Sequence, residues 1–200
     1  MPFDPYQRRR PLILASTSAT RRELLQRLAL DFDCISPDLD ETPEPNEQAV
    51  CLARRLAFEK AAVIAHQYPE AWVIGADQVA TLDGQCLNKP MTVDNAIDQL
   101  KRSSGRTVRF ETAISLQCLA LEHIDTRVSP FSVTFRDLTL AEIERYIERE
   151  EPLLCAGSFK CEGLGISLFS HLHGEDQTAL MGLPLLALCH MLRDAGFQIP

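Results

Sequence analysis

A chain that passes from a short apolar run into a helix through three consecutive hydroxyls has few folds open to it. In "PLILASTSATRRELLQRL", residues 11–28, the run Leu12 to Ala15 stops at Ser16, Thr17 and Ser18; two arginines follow, and leucines then recur at helical spacing. The first run has the length of a buried strand, and the second the period of a helix packed by one face. A strand that feeds a helix directly is the building unit of an α/β sheet. The rest of the chain follows suit: "AWVIGAD" is a second buried strand, and Glu47 to Gln67 reads as a long helix with Asn46 as its N-cap.

The middle of the chain is rich in hairpins. Asp83-Gly84 suits a two-residue turn inside "QVATLDGQCL". "TVRFETAISLQCLALE" alternates Val108, Phe110, Thr112, Ile114, Leu116 and Cys118 on one face, and a turn at "HIDT" returns it through "RVSPFSVTFRDL". Thr92 caps one further helix, Thr139 and Glu142 have the spacing of a capping box for another, and Pro184 takes the first position of a last helix that closes at Gly196. The expected fold is α/β, a mixed sheet with flanking helices rather than a wholly parallel one. Residues 1–10 read as a flexible arm and 11–200 as a single domain, with two lobes and a cleft between them as one arrangement.

Composition narrows the function. The 28 acidic against 20 basic residues give a net charge of −8, which argues against sequence-independent binding of DNA or RNA. No apolar run approaches the ~18 residues that span a bilayer, and "MPFDPYQRRR" lacks the apolar stretch of a secretory signal. The seven cysteines are odd in number, form no C-x-x-C pair and mostly sit in apolar runs, so buried free thiols in a reducing cytoplasm are expected.

Several residues carry chemistry. Ser16, Thr17, Ser18 and Arg21 stand at a helix N-terminus, where unpaired N–H groups, hydroxyls and a guanidinium together suit a phosphate; an ordinary N-cap with solvated arginines is the competing account. Lys60 lies within the inward stripe of the long helix, with Leu56 and Ile64 four residues to either side, so it either snorkels outward or meets an anion in a pocket. Asp77 ends "VIGAD", where a carboxylate can orient water, accept a proton or hold Mg²⁺, or simply open the hairpin. Lys89 precedes Pro90 in a constrained loop, and Glu41 is one of several acids in "DLDETPEP". "HLHGED", residues 171–176, has histidines and carboxylates but no defined ligand set, and reads as a surface loop. Cations, a few acids and no evident covalent nucleophile suit metal-assisted hydrolysis of a phosphoanhydride.

Eight ordered blocks, "LILASTSATRR", "DLDET", "RLAFEKA", "VIGADQV", "LNKP", "FETAISL", "AGSFKCEGLG" and "LMGLPL", make the chain resemble the Maf nucleotide pyrophosphatases over nearly its whole length. "GADQV" and "AGSFKCEG" are most similar to the subgroup that hydrolyses 7-methyl-GTP to its monophosphate and diphosphate; the dTTP/UTP subgroup usually shows a D-T pair and an A-Y-x-I-Q-G loop. The resemblance implies an inosine-triphosphatase-like fold, a Mg²⁺ or Mn²⁺ cofactor, a cytoplasmic enzyme, a nucleotide as sole small-molecule partner, and a homodimer. It implies Asp77 as the group that activates water, Glu41 as its companion toward the metal, and Lys60 and Lys89 as the cations that neutralise the triphosphate. Ser16, Ser18 and Arg21 match the phosphate segment, and Thr20, Gln78 and Glu162 fall at positions tied to substrate choice. One departure is visible: Ala19 and Thr20 stand where family members usually carry proline followed by an aromatic or arginine. Two alternatives remain, a pyrophosphatase of dTTP, UTP or another modified nucleotide, and a nucleotide-binding regulator of septum formation.

Overall fold

The computed structural model describes residues 10–200. In chain order the elements are β1 (Leu12–Ala15), α1 (Ala19–Gln26), β2 (Asp33–Cys34), α2 (Ala49–Gln67), β3 (Trp72–Leu82), β4 (Gln85–Cys86), α3 (Val93–Ser103), β5 (Thr107–Cys118), β6 (His123–Phe135), α4 (Leu140–Glu150), β7 (Phe169–His173), α5 (Gln177–Leu180) and α6 (Leu185–Asp194). The strands form one sheet in the order β2-β1-β3-β5-β6-β7, with β4 paired to the far end of β3. β1 is parallel to β2 and β3, and the remaining pairs are antiparallel, so the sheet is mixed as the hairpin-rich sequence requires. The expected N-terminal arm lies outside the described residues except for Arg10, whose guanidinium pairs with Glu70.

Helices cover the sheet unequally. At the β1 end, α2 packs on one face through Ala61, Ile64 and Ala65, and α1 and α6 pack on the other around Leu24, Leu25, Leu188 and Met191. At the opposite end Ala80, Leu82, Val108, Phe110, Phe131 and Val133 join α4 and a loop aromatic, Phe159, in a separate cluster. Phe159 meets Phe110, Phe135 and Phe169 edge-on, at centroid separations of 5.5, 5.8 and 4.8 Å. That contact pins the loop between α4 and β7 to the sheet.

The close approach of α2 to β3 depends on Gly75. A Cβ there would lie 2.2 Å from the Ala57 carbonyl oxygen and 2.6 Å from the Ala61 nitrogen, both rigid helix backbone. Gly75→Ala is therefore expected to destabilise the fold by about 1–3 kcal/mol, read as a lower urea midpoint, and to lower activity by lifting α2 off the strand. An unchanged midpoint would show that the helix yields without strain.

Several local expectations hold. Thr92 caps α3, and Thr139 with Glu142 forms the full capping box of α4. Asp83 and Gly84 both take positive φ, 48° and 77°, in the two-residue turn to β4. Others need correction. Gln48, not Asn46, precedes α2, and it caps without a side-chain bond. The β5–β6 connection is the helical turn Leu119–Leu121 with Glu122 left-handed, so "HIDT" already belongs to β6. Pro184 is the N-cap of α6 rather than its first residue. The first half of "HLHGED" is strand, because β7 pairs with β6 through His173, although its side chains are exposed. Of the seven free thiols only Cys118 and Cys161 are buried, while Cys51 and Cys86 are exposed: apolar neighbours in sequence do not place a side chain on the inward face.

Candidate active site

The site occupies a break in the sheet edge. β1 pairs with β3 only as far as Ala15 opposite Gly75, and β4 meets β3 only at Thr81 and Leu82. The Trp72 N–H donates to Pro11, and Ala80 accepts from the Leu87 N–H, each at 2.8 Å, so even-numbered residues of β3 turn their peptide groups toward this edge. Ala76 and Gln78 thus face a gap, with Ser16 to Ser18 at one side and the Leu87–Lys89 segment at the other. The expectation that the strand ends at Asp77 is corrected: β3 runs five residues further, and the interruption belongs to its neighbours.

Alternation along β3 sends Asp77 and Gln78 to opposite faces. On the α2 face, Lys60 is buried, and its Nζ lies 2.7 Å from Asp77 Oδ1 and 2.8 Å from Glu41 Oε1. Lys60 therefore does not snorkel. Its place in the inward stripe brings an ammonium to the floor of the site, and two carboxylates converge on it. Glu41 is more than half exposed, yet it is not a freely solvated charge. Its loop is strapped to α2 by Arg55, which pairs with Glu47 at 2.8 Å and Glu59 at 3.0 Å and donates to the Thr42 carbonyl at 3.2 Å. Asp40 accepts from both the N–H and the hydroxyl of Thr42, bonds that also lower its pKa. The segment around Glu41 is thereby held in place.

The start of α1 combines capping with open donors. Ser16 Oγ accepts from the Ser18 N–H at 3.1 Å, and Ser18 Oγ, the N-cap, accepts from the Arg21 N–H at 3.3 Å. Capping and ligand binding are thus compatible, since each hydroxyl keeps its proton to donate. Arg21 Nε donates to the Gly182 carbonyl at 2.9 Å, and its terminal nitrogens have no partner among the described residues. Burial lowers the Arg21 pKa from its ordinary value, and the charges of Asp77 and then Glu41 oppose that shift, so the guanidinium shares their space.

On the other face, Thr20 Oγ1 lies 3.4 Å from Glu162 Oε1, which joins the first turn of α1 to the loop held by Phe159. That loop is braced by Lys160, whose N–H donates to the Tyr146 hydroxyl at 3.0 Å and whose Nζ donates to the Glu150 carbonyl at 2.7 Å. Gln78 donates to Thr112 and to the carbonyls of Ala179 and Leu180. Lys89 is exposed and pairs with none of the described residues.

The geometry thus brings Lys60, Asp77, Glu41 and Arg21 into one electrostatic group and joins Thr20 to Glu162, with Ser16 and Ser18 at the start of α1. Lys89 stands apart on the opposite rim. Sequence reasoning passed over Asp176. It caps α5, accepting from the N–H and hydroxyl of Thr178 at 2.8 and 2.5 Å, and it accepts from the Leu186 N–H at 2.8 Å, so it fixes the turn whose carbonyls hold Gln78 and Arg21. The signal was the D-x-T spacing, masked by the histidines just before it. Thr112 was passed over too, although a hydroxyl inside an otherwise apolar stripe marks a buried polar contact.

Comparison with known proteins shows the family to which the chain belongs. The model of the Maf-like protein family matches residues 11–195. A 7-methyl-GTP pyrophosphatase of Xanthomonas axonopodis pv. citri is 57% identical over 94% of this chain and 98% of its own length. A nucleoside triphosphate pyrophosphatase of Acinetobacter baylyi is 54% identical over 94% and 97% respectively. Among solved structures, that of the Staphylococcus aureus Ham1 protein superposes with a TM-score of 0.45 and 16% identity, over 64% of this chain and 73% of that one. The chain belongs to the Maf family. Among the described residues no helix is long and apolar enough to cross a membrane.

Proposed function

We propose that this protein is a nucleoside triphosphate pyrophosphatase that hydrolyses 7-methyl-GTP to 7-methyl-GMP and diphosphate. The observation that carries the reading is the Lys60 ammonium, buried and shared between Asp77 and Glu41 beside the hydroxyls and guanidinium at the start of α1. The high identity to relatives that carry this name over nearly their whole length supports the choice of substrate. Residues 11–200 act as one domain with the site in its cleft, in a cytoplasmic homodimer.

In this reading Lys60 occupies Asp77 Oδ1 and leaves Oδ2 open to a water. Asp77 takes the proton of that water as its oxygen bonds to the α-phosphorus, and the bond to the β-phosphate oxygen breaks. Ser16, Ser18 and Arg21 hold the phosphates in line, and Lys89 meets the charge of the departing diphosphate from the opposite rim. The donor set also fits a hard divalent cation. Glu41 and Asp77 converge on one ammonium, and each keeps a second carboxylate oxygen without a partner among the described residues. Two carboxylates leave the other positions to substrate and water, the pattern of Mg²⁺ and Mn²⁺ sites. Held there, the cation would neutralise charge on the phosphates.

Specificity is assigned to Thr20, Gln78 and Glu162. Methylation at N7 leaves the guanine ring cationic, and the Glu162 carboxylate balances that charge while accepting from N1–H and the 2-amino group. Glu162→Gln is expected to lower the preference for 7-methyl-GTP over GTP roughly tenfold, measured as the ratio of kcat/KM. An unchanged ratio would remove charge balance as the basis of choice.

The test of the activity is diphosphate release from a panel of nucleoside triphosphates with Mg²⁺ or Mn²⁺. Preferred release from 7-methyl-GTP supports the reading. A preference for UTP or dTTP keeps the reaction and overturns the substrate. Tight binding without turnover of any nucleotide favours the regulatory alternative.

A further inference from the structure

Thr112 sits in the middle of the apolar stripe of β5, fully shielded from solvent. Its hydroxyl donates to the Ala179 carbonyl at 2.8 Å, and its oxygen accepts from Gln78 Nε2 at 2.9 Å. The same nitrogen lies 2.8 Å from the Ala179 carbonyl and 3.1 Å from that of Leu180. Main-chain carbonyls only accept, so the amide has one chemically admissible orientation, with its nitrogen toward them. Two N–H bonds face three acceptors, and the donor capacity of Gln78 is consumed. Its Oε1 has no partner among the described residues.

These carbonyls are not free to adapt. Asp176 and Thr178 hold the α5 turn through four hydrogen bonds, including one from the Leu185 N–H to Thr178 Oγ1 at 2.8 Å. The same turn fixes Arg21 through Gly182. A specificity side chain is thus locked by a buried hydroxyl and a rigid turn, neither of which lies next to it in the chain.

We infer that Thr112 is a positioning residue that, with the carbonyls of Ala179 and Leu180, presents Gln78 to the nucleotide as a hydrogen-bond acceptor only. The inference rests on the proposed function and adds a direction to its recognition. Guanine offers two adjacent donors, N1–H and the 2-amino group, to such an oxygen. Uracil and thymine offer one donor between two carbonyls, whose oxygens would oppose it. Glu162, assigned above to the same base, is likewise an acceptor, so both groups suit a donor edge.

Thr112→Val keeps the shape of the side chain but removes one of the three acceptors of Gln78 Nε2 and the donor that holds the Ala179 carbonyl. That loosens the position of Gln78 Oε1, although the remaining carbonyls still keep the nitrogen turned inward. The ratio of kcat/KM for 7-methyl-GTP over UTP is expected to fall roughly tenfold, with the loss falling on KM for 7-methyl-GTP more than on kcat. Thr112→Ser, which keeps the hydroxyl, is expected to hold the ratio within about twofold of the wild type. A purely structural role would lower both nucleotides together, and an unchanged ratio in Thr112→Val overturns the inference. A second measurement needs no variant of Thr112: amide hydrogen exchange by NMR on the wild type, with and without 7-methyl-GMP. The two Gln78 Nε2 protons are expected to be protected in both states, and rapid exchange in the free protein overturns the inference. If the wild type releases diphosphate from no nucleotide, the proposed function fails, and the exchange result still decides how Gln78 is oriented.

Discussion

Asp77→Asn is expected to lower turnover of 7-methyl-GTP by roughly 10²–10⁴-fold while nucleotide binding survives. Asparagine keeps the volume and an oxygen for Lys60, 2.7 Å away in the wild type, but it cannot take a proton from water. The loss should therefore appear in kcat and spare KM. Binding of 7-methyl-GTP to the variant, followed by calorimetry, supplies the control. A variant that retains a tenth or more of the wild-type kcat would move the proton acceptor elsewhere, with Glu41 the next carboxylate on the same ammonium.

The second large effect is on Lys60. Lys60→Met preserves the apolar stem that packs in the stripe of α2 but leaves Asp77, itself buried, without its cation. Removing one partner of a buried ion pair costs about 3–5 kcal/mol, because the remaining charge is neither solvated nor paired. Turnover should fall as well, since the same ammonium aligns Asp77 and Glu41. Stability and chemistry separate in the double variant Lys60→Met/Asp77→Asn. It is expected to recover most of the urea midpoint, because no orphaned charge remains, and none of the activity. A double variant no more stable than Lys60→Met would mean that the lost contribution was packing rather than charge.

Local signals in the sequence were reliable where the physics is local. A hydroxyl at an N-cap, a Thr-x-x-Glu box or an Asp-Gly turn closes its own hydrogen bonds within four residues, so Thr92, Thr139 with Glu142, and Asp83-Gly84 could be read directly. Lys60 was legible in part. Its position inside the apolar stripe could not be explained by the helix alone, but the stripe did not say which acid would meet it. Asn46 misled because an Asn near a helix start is also a good left-handed residue; with φ of 61° it makes the turn before α2 rather than the cap. Asp77 was singled out for the end of a strand that in fact continues, since sequence shows where apolar residues stop and not where a neighbouring strand does.

Order along the chain therefore determined the elements, the mixed character of the sheet and a short set of residues able to handle a phosphoanhydride. The family resemblance carried by eight short blocks determined which of them to group. The tertiary structure alone decided that β1 stops beside Gly75 while β3 runs on, which opens the sheet edge at Ala76 and Gln78. It alone placed Glu41 and Asp77, 36 positions apart, on one lysine, and set Thr112 and the Asp176 turn behind Gln78. The reason is the range of the forces involved. Capping, turns and periodicity act between near neighbours, whereas burial sets how strongly charges and hydrogen bonds act, and burial exists only once distant segments have packed.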